Sequence, residues 1–206
     1  MIVVIDYQAG NLTSVVRSLQ ALGVQGEVTR DPGVLAGAER VIFPGVGAAG
    51  KAMATLRELG LDQALLQCFK QGVPILGICL GAQIILEHSE ENDTPCLGLL
   101  PGRTRALPQQ TGLKIPHMGW NKVRFLGNHV VFQGLPEEAE YYFVHSYYPA
   151  PAQAAMVLGV TEHGLEFPSA VGWRNLVATQ FHPEKSGRFG LKLLANFLAW
   201  DGSHAE

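Results

Sequence analysis

The chain has 206 residues, a formal net charge of −3, 47% hydrophobic and 16% charged residues. That length suits one α/β domain with a substantial core, and the composition excludes a disordered chain. The weak negative charge has no basic tract to attract nucleic acid, no apolar run reaches membrane-spanning length, and the start, Met1 to Asp6, reads as a strand rather than a signal peptide. Three cysteines, Cys68, Cys79 and Cys96, without a C-x-x-C spacing argue against a disulfide framework, a zinc site or a thioredoxin motif. They fit a reducing, cytoplasmic setting.

In chain order, Ile2 to Ile5 is an uninterrupted apolar run, as expected of a strand buried on both faces. A loop from Tyr7 to Leu12 leads to a helix, Thr13 to Leu22, with Val15, Val16, Leu19 and Leu22 on one face and Gly23 as its stop. Gln25 to Thr29 reads as a weak strand, Asp31-Pro32-Gly33 as a turn, and Arg40 to Phe43 as a third strand ending in Pro44-Gly45-Val46-Gly47. Helices are expected at Ala52 to Leu59 and Leu61 to Lys70. The run from Val73 then reads as a strand, and Ala82 to His88 as a helix. This alternation predicts an α/β fold with a doubly wound, mostly parallel sheet and flanking helices.

From Pro95 to Asn175 the pattern changes to short strand-like runs between Pro and Gly. Lys122 to Phe125, Tyr141 to Tyr147 and Val157 to Thr161 are examples, and His163-Gly164 reads as a hairpin tip. We expect an antiparallel extension on the same core, so that residues 1–206 make a single domain. Leu176 to Phe181 returns to a strand. Ser186 is expected to cap a final helix that turns Leu191, Leu194, Phe197 and Leu198 inward.

The chemistry centres on Gly77-Ile78-Cys79-Leu80-Gly81, a G-x-nucleophile-x-G elbow with cysteine in the nucleophile's place. A sharp strand-to-helix turn crowds any Cβ on either side, hence the glycines, and a helix N-terminus favours thiolate. A buried structural cysteine is the plainer alternative. A cysteine nucleophile needs a base and the base an orienting group. His182-Pro183-Glu184 supplies both, because residues two apart in an extended segment share a face. His88-Ser89-Glu90 has the same spacing, but as the far end of the elbow helix it would lie roughly 13 Å from the sulfur, and its charge would suit the helix C-terminus. The Leu80 N–H and the backbone of Gly45-Val46-Gly47 are candidate oxyanion donors. Gln83, one helical turn beyond Cys79, is either a substrate contact or a plain polar residue. His145-Ser146-Tyr147 reads as the end of a core strand, and Trp120 as core or as an interface anchor.

These motifs resemble the class I, triad-type glutamine amidotransferases. The segments Asp6-Tyr7-Gln8-Ala9-Gly10-Asn11-Leu12-Thr13-Ser14-Val15, Pro116-His117-Met118-Gly119-Trp120-Asn121 and Tyr142-Phe143-Val144-His145-Ser146-Tyr147 are similar to those of glutaminase subunits of imidazole glycerol phosphate synthases. Ala82 stands where that family often has methionine and Gln8 where it often has glycine. The resemblance implies a Cys79–His182–Glu184 triad that hydrolyses glutamine. Gln83, His145, Ser146 and Tyr147 would hold the amino-acid end of the substrate. It implies no cofactor and no metal. The expected partner is a (β/α)₈-barrel cyclase subunit in a heterodimer, met by a face that includes Asn11, Trp120 and Lys185. A glutaminase of anthranilate or pyridoxal phosphate synthesis, a stand-alone cysteine hydrolase and a non-catalytic scaffold subunit are the competing readings.

Overall fold

The computed structural model describes residues 1–8, 12–109, 113–137 and 139–203. Its first half runs β1 (Ile2–Ile5), α1 (Leu12–Ala21), β2 (Gly26–Thr29), α2 (Pro32–Ala36), β3 (Arg40–Gly45), α3 (Ala49–Glu58), α4 (Leu61–Lys70), β4 (Ile75–Cys79) and α5 (Leu80–Ile84). The second half runs β5 (His88–Ser89), β6 (Thr94–Pro95), β7 (Gly102–Ala106), β8 (His117–Lys122), β9 (Arg124–Phe125), β10 (Glu140–His145), β11 (Tyr147–Pro151), β12 (Val157–Glu162), β13 (Glu166–Trp173), β14 (Leu176–Thr179) and α6 (Gly187–Ala199).

The main sheet has the strand order β2-β1-β3-β4-β14-β13-β12-β9. From β2 to β14 all neighbours are parallel, with Val3 opposite Val41, Gly45 opposite Cys79 and Ile78 opposite Thr179. β13, β12 and β9 then pair antiparallel. The expected parallel sheet with an antiparallel extension is therefore present. Side chains alternate across it, as a two-residue period requires. Val3, Ile5, Val41 and Phe43 join a core with α2, α3, α4 and α5, whereas Val4, Ile42, Leu76 and Ile78 join a second core with α1 and α6. Each of these buried apolar side chains contributes about 1.5–3 kcal/mol.

The remaining strands form an antiparallel pair, β10-β8, and a four-stranded sheet, β11-β7-β5-β6. The sequence run expected as one strand from Tyr141 to Tyr147 divides at Ser146, because β10 pairs with β8 and β11 with β7. The β12–β13 hairpin turns at His163-Gly164 as expected.

Other expectations are corrected. Asp31-Pro32-Gly33 is not a free turn but the start of α2. The Asp31 carboxylate accepts from the Gly33 N–H at 2.7 Å, and Pro32 fills the first turn, where its missing N–H is harmless. The elbow helix ends at Ile84 rather than His88. The returning segment takes the carbonyls that further turns would have used: Leu97 N–H donates to Ile84 O and Leu99 N–H to Ile85 O. His88 therefore lies on β5, at 3.0 Å from Asp93, and at no helix terminus. Ser186 precedes α6 but gives it no side-chain cap; its hydroxyl donates to His182 O and accepts from Tyr142 N–H. The buried stripe of α6 is Gly190, Leu193, Leu194 and Phe197, with Leu191 and Leu198 only half-buried.

Candidate active site

Parallel strands β3, β4 and β14 lie side by side, and their carboxyl ends carry the three segments singled out in the sequence. In open α/β sheets this edge is where ligands bind. β3 ends at Gly45, β4 at Cys79, and the chain leaving β14 reaches His182 three residues later.

Cys79 has φ 55° and ψ −105°, a conformation that an L-residue holds at a cost of about 1–3 kcal/mol. The surrounding glycines make the bend possible. A Cβ on Gly81 would collide with the Phe43 carbonyl oxygen, and one on Gly77 would come within 2.9 Å of the Ala178 Cβ. The strained turn leaves Cys79 at the wall of a cavity of about 260 Å³. Val46, Gly47, Leu80 and Gln83 line the same cavity, as do His145, Ser146 and Tyr147. Gly45 lies behind this wall, opposite Cys79 in the sheet register.

His182 Nδ1 and Glu184 Oε1 are 2.8 Å apart, with both side chains 2% exposed. Among the described residues the second oxygen of Glu184 is buried without a hydrogen-bond partner, and His182 is the charge that balances this carboxylate. Nε2, on the other side of the imidazole, has no conventional hydrogen-bond partner and is coupled to Cys79. Burial opposes charging of His182. The Cys79 thiolate on one side and Glu184 on the other outweigh it, and the pKa is pushed up to about 10. The arrangement thus favours an imidazolium facing the sulfur.

A second histidine group braces the cavity. His145 Nδ1–H donates to Tyr147 O at 2.8 Å, and His145 Nε2 lies 2.9 Å from His117 Nδ1. Asn121 Nδ2 is 3.2 Å from His117 Nε2, and His163 stacks on His117 with centroids 4.0 Å apart. A backbone carbonyl can only accept, so the network fixes both tautomers. Burial, reinforced by the neighbouring histidines, holds His117 near 4 and His145 near 3, so both are neutral at ordinary pH. Both ring nitrogens of His145 are thereby engaged, and it meets the cavity as a support.

Sequence reasoning overlooked four residues here. Glu91 lines the cavity and accepts from the Ala49 N–H at 2.7 Å; no sequence pattern marks it, because the early end of α5 puts it there. Val144 O lies 3.8 Å from Cys79 Sγ, on a strand whose pairing had to be seen. Tyr7 is 1% exposed, its hydroxyl without a hydrogen-bond partner among the described residues and packed against Gly45. Gln180 donates toward Cys79 Sγ at 3.7 Å. It stands two residues before His182, where the chain bends after β14, so the spacing alone does not place it.

Of the expected partner-facing residues, Asn11 lies outside the described residues. Trp120 is 55% exposed and packs edge-on against Tyr142, and Lys185 Nζ sits 5.8 Å from the same ring. With Met118, 63% exposed, they form an apolar and basic face beside Glu184.

Fold and arrangement define a class: an α/β protein with a cysteine–histidine–carboxylate site at the carboxyl edge of a doubly wound sheet. The model of the class-I glutamine amidotransferase family matches residues 3–200. Imidazole glycerol phosphate synthase subunit HisH from Nitratidesulfovibrio vulgaris (strain Miyazaki F) is 50% identical, with 97% of each chain covered. The protein of that name from Dehalococcoides mccartyi is 46% identical, with 96% of each chain covered. A crystal structure of a glutamine amidotransferase superimposes with a TM-score of 0.76 at 20% identity, covering 97% of this chain and 98% of the other. The chain belongs to the class-I glutamine amidotransferases and, within them, to the HisH family.

Proposed function

We propose that this protein is the glutaminase subunit of an imidazole glycerol phosphate synthase. It hydrolyses glutamine to glutamate and ammonia in histidine biosynthesis and passes the ammonia to a cyclase subunit. The observation that carries the reading is the buried His182–Glu184 pair at 2.8 Å, set behind a cysteine whose backbone is held at φ 55°.

The geometry supports the following steps. The Cys79 thiolate attacks the side-chain amide carbon of glutamine, and the carbonyl oxygen becomes an oxyanion. The Leu80 N–H and the Val46–Gly47 backbone, which line the cavity, stabilise it. The C–N bond then breaks as His182 gives its proton to the departing ammonia, leaving a γ-glutamyl thioester. Neutral His182 next takes a proton from water. The hydroxide adds to the thioester, the C–S bond breaks, and the thiolate returns. Glu184 holds the imidazole in one tautomer throughout. Ser146 and Tyr147 offer backbone to the amino-acid end of the substrate. Glu91 is the acidic side chain on the cavity wall and faces its ammonium group. Gln83 has its amide nitrogen engaged by Tyr147 O and Gln180 Oε1, so it meets substrate through its carbonyl oxygen. These steps use no cofactor and no metal.

The partner is a (β/α)₈-barrel cyclase that makes imidazole glycerol phosphate and aminoimidazole carboxamide ribotide. It docks on the face of Met118, Trp120 and Lys185; Asn11, which the resemblance also assigns to the partner, lies outside the described residues. We read residues 1–206 as one domain, supported by the family match over 3–200. We place it in the cytoplasm, in keeping with three unpaired cysteines. Among the described residues no helix is long and apolar enough to cross a membrane.

The test is glutamate release from glutamine, with and without the barrel cyclase and its nucleotide ligand. Strong stimulation by both supports the reading. Activity unchanged by the partner moves the protein to another glutaminase or a hydrolase, and folded protein that releases no glutamate under any condition refutes catalysis.

A further inference from the structure

Gln180 is fully buried, and its side chain lies between Gln83 and Cys79. A buried primary amide is costly unless its hydrogens and oxygen find partners, and here the partners dictate its orientation. Tyr147 O can only accept, so the atom of Gln83 facing it at 2.8 Å is the nitrogen. The second hydrogen of that nitrogen points to Gln180 at 3.0 Å, which makes the facing Gln180 atom the oxygen. Gln180 Nε2 is then left toward Cys79 Sγ, at 3.7 Å. The direction of every bond in this chain follows from one backbone carbonyl.

The sulfur has two further neighbours. His182 faces it as the base, and Val144 O lies 3.8 Å away, positioned to accept from a thiol. A thiolate has no proton for Val144 O but accepts from an amide N–H, and such a bond is stronger to a charged acceptor than to a neutral one. The amide therefore favours the ionised form over the neutral one. An apolar residue of the same size would not do so.

We propose that Gln180 is a catalytic residue of this site: its side-chain N–H holds the Cys79 thiolate, with Gln83 and Tyr147 O fixing the amide so that only its nitrogen can face the sulfur. The proposal rests on Cys79 being the nucleophile. It gives Gln83 a second task besides meeting substrate, and it explains why an amide occupies a fully buried position beside the elbow.

The test is the pH dependence of Cys79 alkylation by iodoacetamide, followed by mass spectrometry in the intact chain, for the wild type, Gln180→Met and Gln83→Met. The titratable groups around the sulfur, His182 and Tyr7, and His145 and Glu91 on the cavity wall, are kept in both variants. In Gln180→Met the midpoint of alkylation is expected to rise by about one pH unit, a tenfold loss of thiolate at any pH below both midpoints. kcat/KM for glutamine in that acidic range should fall by about the same factor. In Gln83→Met the amide of Gln180 loses its orienting partner, and the midpoint should move in the same direction by a smaller amount. Midpoints equal to the wild type in folded variants overturn the role of Gln180 and leave the nucleophile intact. If Gln180→Met does not fold, the Gln83→Met midpoint decides alone. A wild-type Cys79 that resists alkylation while Cys68 or Cys96 reacts overturns the nucleophile assignment itself.

Discussion

Replacing Glu184 by Gln separates the charge behind His182 from the shape that holds it. The amide oxygen can still accept the Nδ1–H, so the imidazole keeps its tautomer. What disappears is a carboxylate 2.8 Å from a ring that is 2% exposed. A hydrogen bond to a charged group contributes about 1.5–3 kcal/mol and a neutral one about 0.5–1.5 kcal/mol. The difference, about 1.5 kcal/mol, applies to every step in which His182 is protonated, and predicts a fall in kcat of about tenfold. The pH profile gives a sharper reading. His182 is held near 10 in the folded protein against 6.5 for a free histidine. It therefore adds stability that is fully present below about 6.5 and lost as pH rises through about 10. Without the carboxylate the folded value drops. The gap in melting temperature between wild type and variant should then be full below pH 6.5 and close as pH approaches 10. The basic limb of glutaminase activity should move to lower pH. Steady-state glutamate release and thermal melts across pH 6 to 10 measure both. A kcat within twofold of the wild type with an unmoved basic limb refutes the reasoning.

Other predictions concern the cysteines, the elbow and a helix start. A glutamine-like electrophile near neutral pH should label Cys79 and spare the others, because burial pushes the Cys96 thiol up to about 11 and raises that of Cys68; peptide mapping that finds label on either of these contradicts it. Gly81→Ala drives a methyl into the Phe43 carbonyl and should lower stability by about 1–3 kcal/mol or more, read by denaturant melts, with a loss of glutaminase activity. A variant as stable and active as the wild type would show that the elbow is less tightly packed than described. Asp31→Ala removes the cap of α2, none of whose residues lines the cavity, and should cost about 1 kcal/mol in the same melts with kcat unchanged. A loss of activity there would contradict the separation of α2 from the site.

The elements that were legible in the sequence are those whose determinants are local. The buried runs of β1, β3 and β4, the amphipathic pattern of α4 and the glycines of the elbow each state their own conformation. The spacing of His182 and Glu184 points to the right pair for a different reason: the segment reads as extended, but Pro183–Lys185 forms a tight 3-10 turn, with the Lys185 N–H donating to His182 O, and that turn brings the Glu184 carboxylate to Nδ1. What the tertiary structure decided depends on partners distant in the chain. α5 stops at Ile84 because residues 97–100 take its carbonyls, and this early stop delivers Glu91 to the cavity wall. The run from Tyr141 to Tyr147 breaks at Ser146 because its two halves find different strands to pair with. The orientation of Gln180 requires Gln83 and Tyr147 O, from two other segments, and no spacing along the chain encodes it. Hydrogen-bond direction is settled by which groups can only donate or only accept, and that is known only once folding has brought them together.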